Sequence, residues 1–297
     1  MPEQKRPFHS GFVAILGRPN VGKSTLMNAM IGEKIAIVSS RPQTTRNRIM
    51  GVVTHDDWQI VFLDTPGLHK PRTRLGEYMV RAAKDATDGI DALIVMVDAS
   101  EVGPHDREIV EQMRSERAPK VLVVGKIDLV TEDKLMNVLA SFNDCGYDAV
   151  VPLSSRTGKG LEELSRVLRG FLPEGPRYFP SDMVTDQPER VLCAEIIREK
   201  ALRNLREEVP HGVGVEMMAM TRLSDRLTEI QATIYCERAS HKGIIIGKQG
   251  SMLQTIGSQA RADIERLLGT QVSLKLWVKV REDWRNRMSD LRTLGYE

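Results

Sequence analysis

At 297 residues the chain exceeds the usual span of one domain, roughly 100 to 200 residues, so two domains are the first expectation. A composition of 41% apolar and 28% charged residues excludes a largely disordered chain, and no run approaches the roughly 18 apolar residues that a membrane-spanning helix needs. A formal charge of +2 is too small to argue for a polyanionic partner by itself, so a nucleic-acid reading must come from local distribution.

The chain opens with charged Glu3, Lys5 and Arg6 before a short apolar run, which is no secretory signal. Apolar runs then alternate with stretches of helical period. The runs Phe12–Leu16, Ile60–Leu63, Ala92–Val97, Val121–Val124 and Val150–Leu153 predict buried parallel strands, with a more polar strand over Arg48–Thr54. Between them, Lys23–Ile31, Gly76–Thr87, Asp106–Arg117, Glu132–Cys145 and Leu161–Phe171 predict crossover helices. This is an α/β domain, a mostly parallel sheet with helices on both faces.

Periodicity fails at Leu172-Pro173-Glu174-Gly175-Pro176, and Pro180 and Pro188 follow. The expected division is therefore a first domain over residues 1–173, a linker over 174–188 and a second domain over 189–297. The second domain reads as a helix over Glu189–Glu207, strands near Val213–Thr221 and Thr228–Glu237, helices around Gly250–Leu268, a strand over Val272–Val280 and a final helix over Glu282–Leu294. That order, αββααβα, is α+β. Cys145, Cys193 and Cys236 are odd in number and lack metal-ligand spacing, as expected of structural thiols in a reducing, cytosolic setting.

Directly after the first strand, Gly17-Arg18-Pro19-Asn20-Val21-Gly22-Lys23-Ser24 satisfies G-x-x-x-x-G-K-[ST] and leads into a helix. Glycines let backbone N–H groups curl around phosphate oxygens, and the helix N-terminus adds partial positive charge. Contacts to a nucleotide are expected from Asn20, Val21, Gly22, Lys23, Ser24 and Thr25, with Lys23 neutralising the β and γ phosphates and the Ser24 hydroxyl ligating Mg²⁺. Asp64-Thr65-Pro66-Gly67 ends the strand Ile60–Leu63, where Asp64 can hold Mg²⁺ through water and the Gly67 N–H can approach a γ-phosphate; a plain strand-end turn is the simpler reading. Within Gln43-Thr44-Thr45-Arg46, Thr45 is the favoured metal ligand, against both threonines being ordinary loop hydroxyls. Lys23, Thr45 and Gly67 are the expected catalytic set, and Ser24, Thr45 and Asp64 the expected metal set.

Guanine-binding proteins of this class carry N/T-K-x-D after a hydrophobic strand; here that place holds Gly125-Lys126-Ile127-Asp128. Asp128 can accept from the guanine ring N–H and exocyclic amine, and the Lys126 stem can cover the base. Gly125 removes a side chain that would contact the base and tie this loop to the phosphate loop, an expected loss of about 1 to 3 kcal/mol. Ser154-Ser155-Arg156 follows the last strand and resembles an S-A-K loop that meets the guanine carbonyl, with Ser155 in place of alanine. Leu68 stands where many GTPases carry a water-orienting glutamine, so slow hydrolysis is expected. Asn20 has two readings, a turn former bonding its own backbone or a residue placing K⁺ beside the phosphates.

Near the end, Gly247-Lys248-Gln249-Gly250 forms a G-x-x-G turn after an apolar stretch. Within the αββααβ frame this suits single-stranded RNA at Lys242, Gly247, Lys248, Gln249 and Gly250, with Ile244 to Ile246 in an aliphatic groove for bases; alone it is simply a turn. From His241 onward there are 10 Lys/Arg against 6 Asp/Glu, consistent with phosphate contacts such as Lys242, Lys248, Arg261 and Lys275 or with a solvated helical face.

On Gly17 to Ser24, Gln43 to Arg46, Asp64 to Gly67, the hydrophobic Leu68 and Gly247 to Gly250, the chain resembles the Era family of bacterial GTPases along essentially its whole length. The resemblance implies a P-loop GTPase domain and a type II KH domain that binds the 3′ end of small-subunit ribosomal RNA and assists small-subunit assembly. It also implies a cytoplasmic monomer with peripheral contact to the inner face of the membrane. Two rival readings stay open: an RNA-binding assembly factor with a weakened nucleotide site, and a signalling GTPase whose C-terminal domain binds protein or membrane.

Overall fold

The computed structural model describes residues 7–39, 41, 43–68, 71–207 and 209–296; Glu3, Lys5 and Arg6 lie outside them. The chain forms two compact units, the first made of residues 1–36, 45–70 and 79–186, the second of 37–44, 71–78 and 187–297.

In the first unit six strands, β1 (His9–Leu16), β2 (Ile49–Thr54), β3 (Trp58–Asp64), β4 (Ala92–Asp98), β5 (Lys120–Gly125) and β6 (Ala149–Pro152), form one sheet in the order β2-β3-β1-β4-β5-β6. All neighbours are parallel except β2, which runs antiparallel to β3. The five aliphatic runs are buried because successive residues serve opposite cores. Val13, Ile15, Ile60, Ile94 and Val123 pack with Leu26 of α1 (Lys23–Ile31) and Leu164 of α5 (Leu161–Arg169), whereas Ala14, Leu16, Leu93, Val95 and Leu122 pack with Ile109 of α3 (Pro104–Met113). Burying each larger aliphatic side chain contributes roughly 1.5 to 3 kcal/mol, which is why these strands show unbroken apolar runs and no alternation. The part of α2 (Arg74–Asp85) from residue 79 onward and α4 (Glu132–Ala140) complete the helices of this unit.

The proline-rich stretch after α5 lies along the outer strands. Gln59 accepts from the backbone N–H groups of Tyr178 and Phe179, the Val52 N–H donates to Val184 O at 2.8 Å, and Thr185 donates to Met50 O at 2.7 Å. These bonds cover an edge that would otherwise present unpaired backbone groups.

The second unit contains α6 (Glu189–Asn204), β7 (Gly214–Ser224), β8 (Leu227–Cys236), α7 (Ala239–Ile246), α8 (Ser251–Leu268), β9 (Gln271–Val280) and α9 (Met288–Thr293). Its sheet order is β7-β8-β9, with β7 antiparallel and β9 parallel to β8. Ile197 of α6, Ile230 and Ile234 of β8, and Ile256 and Ile264 of α8 are fully buried in one core. Cys193 and Cys236 sit in that core; burial, helped by Glu189, pushes the Cys193 thiol up to about 12, and burial also raises Cys236. Segment 37–44 belongs to this unit through arginines of α6: Arg203 donates to Val38 O, and the buried Arg198 guanidinium donates to Thr44 O.

The final helix expected over Glu282–Leu294 is broken. Asp283 adopts φ 52°, a 3₁₀ turn spans Trp284–Asn286, and only Met288–Thr293 is α-helical. Trp284 explains the break: it is fully buried with its indole N–H on Gly212 O at 2.9 Å, a position a continuous helix from 282 would not supply.

Candidate active site

Because β1, β3, β4, β5 and β6 are parallel, their carboxyl ends share one edge of the sheet, and each delivers a chemically active residue there: Gly17 to Ser24, Asp64, Asp98, Lys126 and Ser154.

The phosphate end is built on backbone closeness. Gly17 has φ 147°, and a Cβ there would stand 2.5 Å from Met96 O, so only glycine fits. Gly22, at φ 116°, precedes α1, whose first N–H groups face the loop. The buried Lys23 amine donates to Gly17 O and Arg18 O, both at 3.1 Å. Burial pushes that amine down to about 8, opposed by Asp64 and reinforced by Arg18. Arg18 is held outward by Asp106 at 2.9 Å and the Glu101 carbonyl at 2.7 Å, partners that sequence spacing did not indicate.

Ser24, Thr45 and Asp64 do converge. The Ser24 hydroxyl donates to Asp64 Oδ2 at 2.6 Å and lies 2.8 Å from Thr45 Oγ1, which is 3.4 Å from the same carboxylate oxygen. Among the described residues, Asp64 Oδ1 is buried without a hydrogen-bond partner. Burial raises the Asp64 carboxyl above its ordinary range, against the stabilising effects of Lys23, Ser24, Thr45 and the Thr65 N–H. Two hydroxyls and a carboxylate with one oxygen unsatisfied form a hard-oxygen donor set that fits a small divalent cation.

Packing also requires a glycine at Gly67. A Cβ there would stand 2.5 Å from Pro19 N and 2.6 Å from Pro19 Cα, so the glycine lets this turn lie against the phosphate loop's own backbone. Leu68 N–H donates to Gly17 O at 3.2 Å, and the Leu68 side chain packs against the α3-side core.

The base end is built from side chains. Lys126, at φ 58°, donates to Asn20 O at 2.8 Å and to Asp98 Oδ2 at 2.7 Å, so a lysine ties the base loop to the phosphate loop although residue 125 is glycine. Burial alone would raise the Asp98 carboxyl, but the hydrogen bonds from Lys126 and Ser100 outweigh it and hold it below its ordinary range. Exposed Asp128 accepts from the buried Ser154 hydroxyl at 2.6 Å. Ser154 thus orients the aspartate, while the Ser155 hydroxyl is buried without a partner among the described residues and Arg156 is exposed. Asn20 has φ 66°, a left-handed conformation that asparagine tolerates. Thr25 lies in the first turn of α1, and Val21 is buried in the core beneath the loop.

In the second unit the G-x-x-G turn joins α7 to α8. Gly247, at φ 73°, has no room for a Cβ, which would meet Met252 Cβ at 2.7 Å; Gly250, at φ 81°, faces open space and caps α8. Lys248 and Gln249 between them are exposed, and Lys242 is half-buried on α7. A groove of about 570 Å³ runs from Gly250 along Leu253, Gly257 and Arg261 to Val272 and Leu274. Two expectations change here. The stretch before the turn is helical, so Ile244 is exposed while Ile245 is fully buried and cannot receive a base. Lys275 pairs with Glu229 at 2.9 Å.

The model of a 50S ribosome-binding GTPase matches residues 12–126, and the KH domain model matches residues 208–285. The GTPase Era of Alkaliphilus metalliredigens (strain QYMF) is 54% identical over 98% of this chain and 99% of its own length. The chain belongs to the Era family. The GTPase Era of Clostridioides difficile (strain 630) is likewise 54% identical, over 97% of this chain and 99% of that protein. A crystal structure of Era in complex with MgGDPNP and nucleotides 1506–1542 of 16S ribosomal RNA matches with a TM-score of 0.90 at 40% identity, covering 97% of this chain and 99% of that one. An Aquifex aeolicus Era variant bound to GDP and aluminium fluoride gives 0.92 at 39% identity over the same shares.

Proposed function

We infer that this chain is a slowly hydrolysing GTP switch whose KH domain binds the 3′ end of small-subunit ribosomal RNA and assists small-subunit assembly. The convergence of Ser24, Thr45 and Asp64 beside Lys23, with Asp128 at the other end of the same sheet edge, carries this reading. Ser24, Thr45 and Asp64 would hold Mg²⁺, which would supply charge neutralisation to the bound phosphates. Lys23 leaves the Gly17 and Arg18 carbonyls to meet those phosphates, and the α1 N-terminus adds backbone donors. Asp128, aimed by Ser154, accepts from guanine, while the Lys126 stem covers the base and Ser155 and Arg156 border it. The Leu68 side chain can neither donate nor accept, so the chain itself leaves the attacking water poorly oriented and turnover slow.

Lys242, Gly247, Lys248, Gln249 and Gly250 form the proposed RNA contact, the glycines admitting the backbone and the lysines its charge. The proposed division remains residues 1–173, 174–188 and 189–297. Potassium assistance at Asn20 is a finer part of the reading, checked by comparing turnover in KCl and NaCl; equal rates would remove it. A cytoplasmic location with peripheral contact to the inner membrane face is proposed on the same footing, alongside the fact that, among the described residues, no helix is long and apolar enough to cross a membrane.

The whole reading is tested by titrating the chain with GTP, GDP and a single-stranded RNA of the small-subunit 3′ end. Lys248→Glu is expected to weaken RNA binding and to make the salt dependence shallower, by about one unit of slope for each phosphate that Lys248 neutralises. Unchanged affinity and slope would remove Lys248 from the interface.

A further inference from the structure

The thioether of Met96 lies between the two loops of the nucleotide site. Met96, on β4 and fully buried, places its Cε 3.1 Å from where a Cβ on Gly22 would stand and 2.4 Å from where one on Gly125 would stand. The first glycine belongs to the phosphate loop and the second opens the base loop. A side chain on residue 125 would begin 3.8 Å from Val21 O, so its path toward the phosphate loop is the space the Met96 methyl now fills. The Lys126 stem closes the same gap from the other side, its Cε 3.9 Å from the Gly22 Cβ position, before the amine reaches Asn20 O and Asp98.

We propose that Met96 is the positioning residue that holds the base-recognition loop against the phosphate loop, and that Met96 and Gly125 form one interdependent pair that sets guanine-nucleotide affinity. This rests on the GTP-binding reading above. A polar side chain at 125 could fasten the loops through a directed hydrogen bond to Val21 O; here an apolar wedge with three rotatable bonds does so by contact, and glycine is the residue that leaves it room. Gly125 is therefore not a simple deletion of a hydrogen bond. Restoring a side chain there meets a methyl group packed against Gly22 and Gly125, and overpacking of this kind forces the neighbouring atoms to shift.

The test is a four-cornered cycle in the full-length chain, Gly125→Asn, Met96→Val and the double variant against the unaltered protein, read as GDP dissociation constants with Mg²⁺ present. Gly125→Asn alone is expected to weaken binding roughly tenfold and Met96→Val roughly threefold. The double variant should bind about tenfold more tightly than Gly125→Asn, because the methyl no longer blocks the new side chain. Because Met96 would act on how the two loops are held and not on the reacting atoms, the KM for GTP should move more than kcat at saturation. Ile94→Val, which removes a methylene from the same buried strand, controls for stability: it should lower the unfolding temperature comparably and leave affinity unchanged. Additive effects in the cycle, tighter binding by Gly125→Asn alone, or equal affinity loss in Ile94→Val would each overturn the pair. A native chain that bound no GDP would overturn the pair together with the functional reading beneath it, which separates the two failures.

Discussion

The two ends of the nucleotide site are held together by different means. At the phosphate end, backbone packs on backbone: Gly17 against Met96 O and Gly67 against Pro19, each with about the room of a hydrogen atom. At the base end, the proposed recognition rests on exposed or half-exposed side chains, Asp128 held by Ser154 and Lys126 held by Asp98 and Asn20 O. Backbone contacts of that closeness leave no alternative residue. Side-chain contacts can be exchanged for others that reach the same place, and the base end carries such exchanges at Gly125 and Ser155.

The contrast can be broken by substitution. Lys23→Ala should lower kcat for GTP hydrolysis about a hundred- to a thousandfold, as expected when one preorganised charge on the transferring group is removed. A loss below tenfold, measured under saturating nucleotide, would contradict the rigid phosphate end. Gly67→Ala adds only one carbon, yet it must push the Pro19 backbone away, and a displacement of about 1 Å predicts about a hundredfold lower kcat/KM. Wild-type kinetics in that variant would mean the turn is more compliant than its packing indicates. Asp128→Ala should weaken GTP about ten- to a hundredfold and erase preference over ATP, while single-turnover hydrolysis of bound GTP persists. Ser154→Ala is the mildest: Asp128 loses its orienting donor, and GDP affinity should fall about three- to tenfold. If Ser154→Ala equalled Asp128→Ala, the base end would be as indivisible as the phosphate end.

The same contrast explains what could be read from sequence. Gly17 to Ser24, Asp64 to Gly67 and the five buried strands were legible because their physics is local: a tight turn, a helix start, a fully apolar run. Asp64 was legible from its place at a strand end and Ser24 from its motif, whereas Thr45 could be favoured only over an ordinary loop hydroxyl. Met96 was illegible, because within Ala92–Val97 it is one more apolar residue, and only the register of β4 beside β5, which sets it opposite Val123, places its side chain within reach of Gly125. Asp98 and Asp106, which anchor Lys126 and Arg18, are separated from their partners by 28 and 88 residues. The packing of Gly67 on Pro19 was equally illegible, since the motif speaks only of phosphate. In the second unit, Ile244 and Ile245 differ only by one helical step, which composition cannot sort into surface and core.

The sealing of two cysteines makes the protein its own unfolding reporter. Cys193 on α6 and Cys236 on β8 have thiols raised by burial, whereas Cys145 in the first unit is only half-buried. Thiolate is the reactive form, so an alkylating agent added to the native chain marks Cys145 first, and labels the other two at the rate at which the second unit opens. A mass shift from one adduct to three then clocks that opening in the untouched sequence, with and without nucleotide or RNA, and needs no engineered probe.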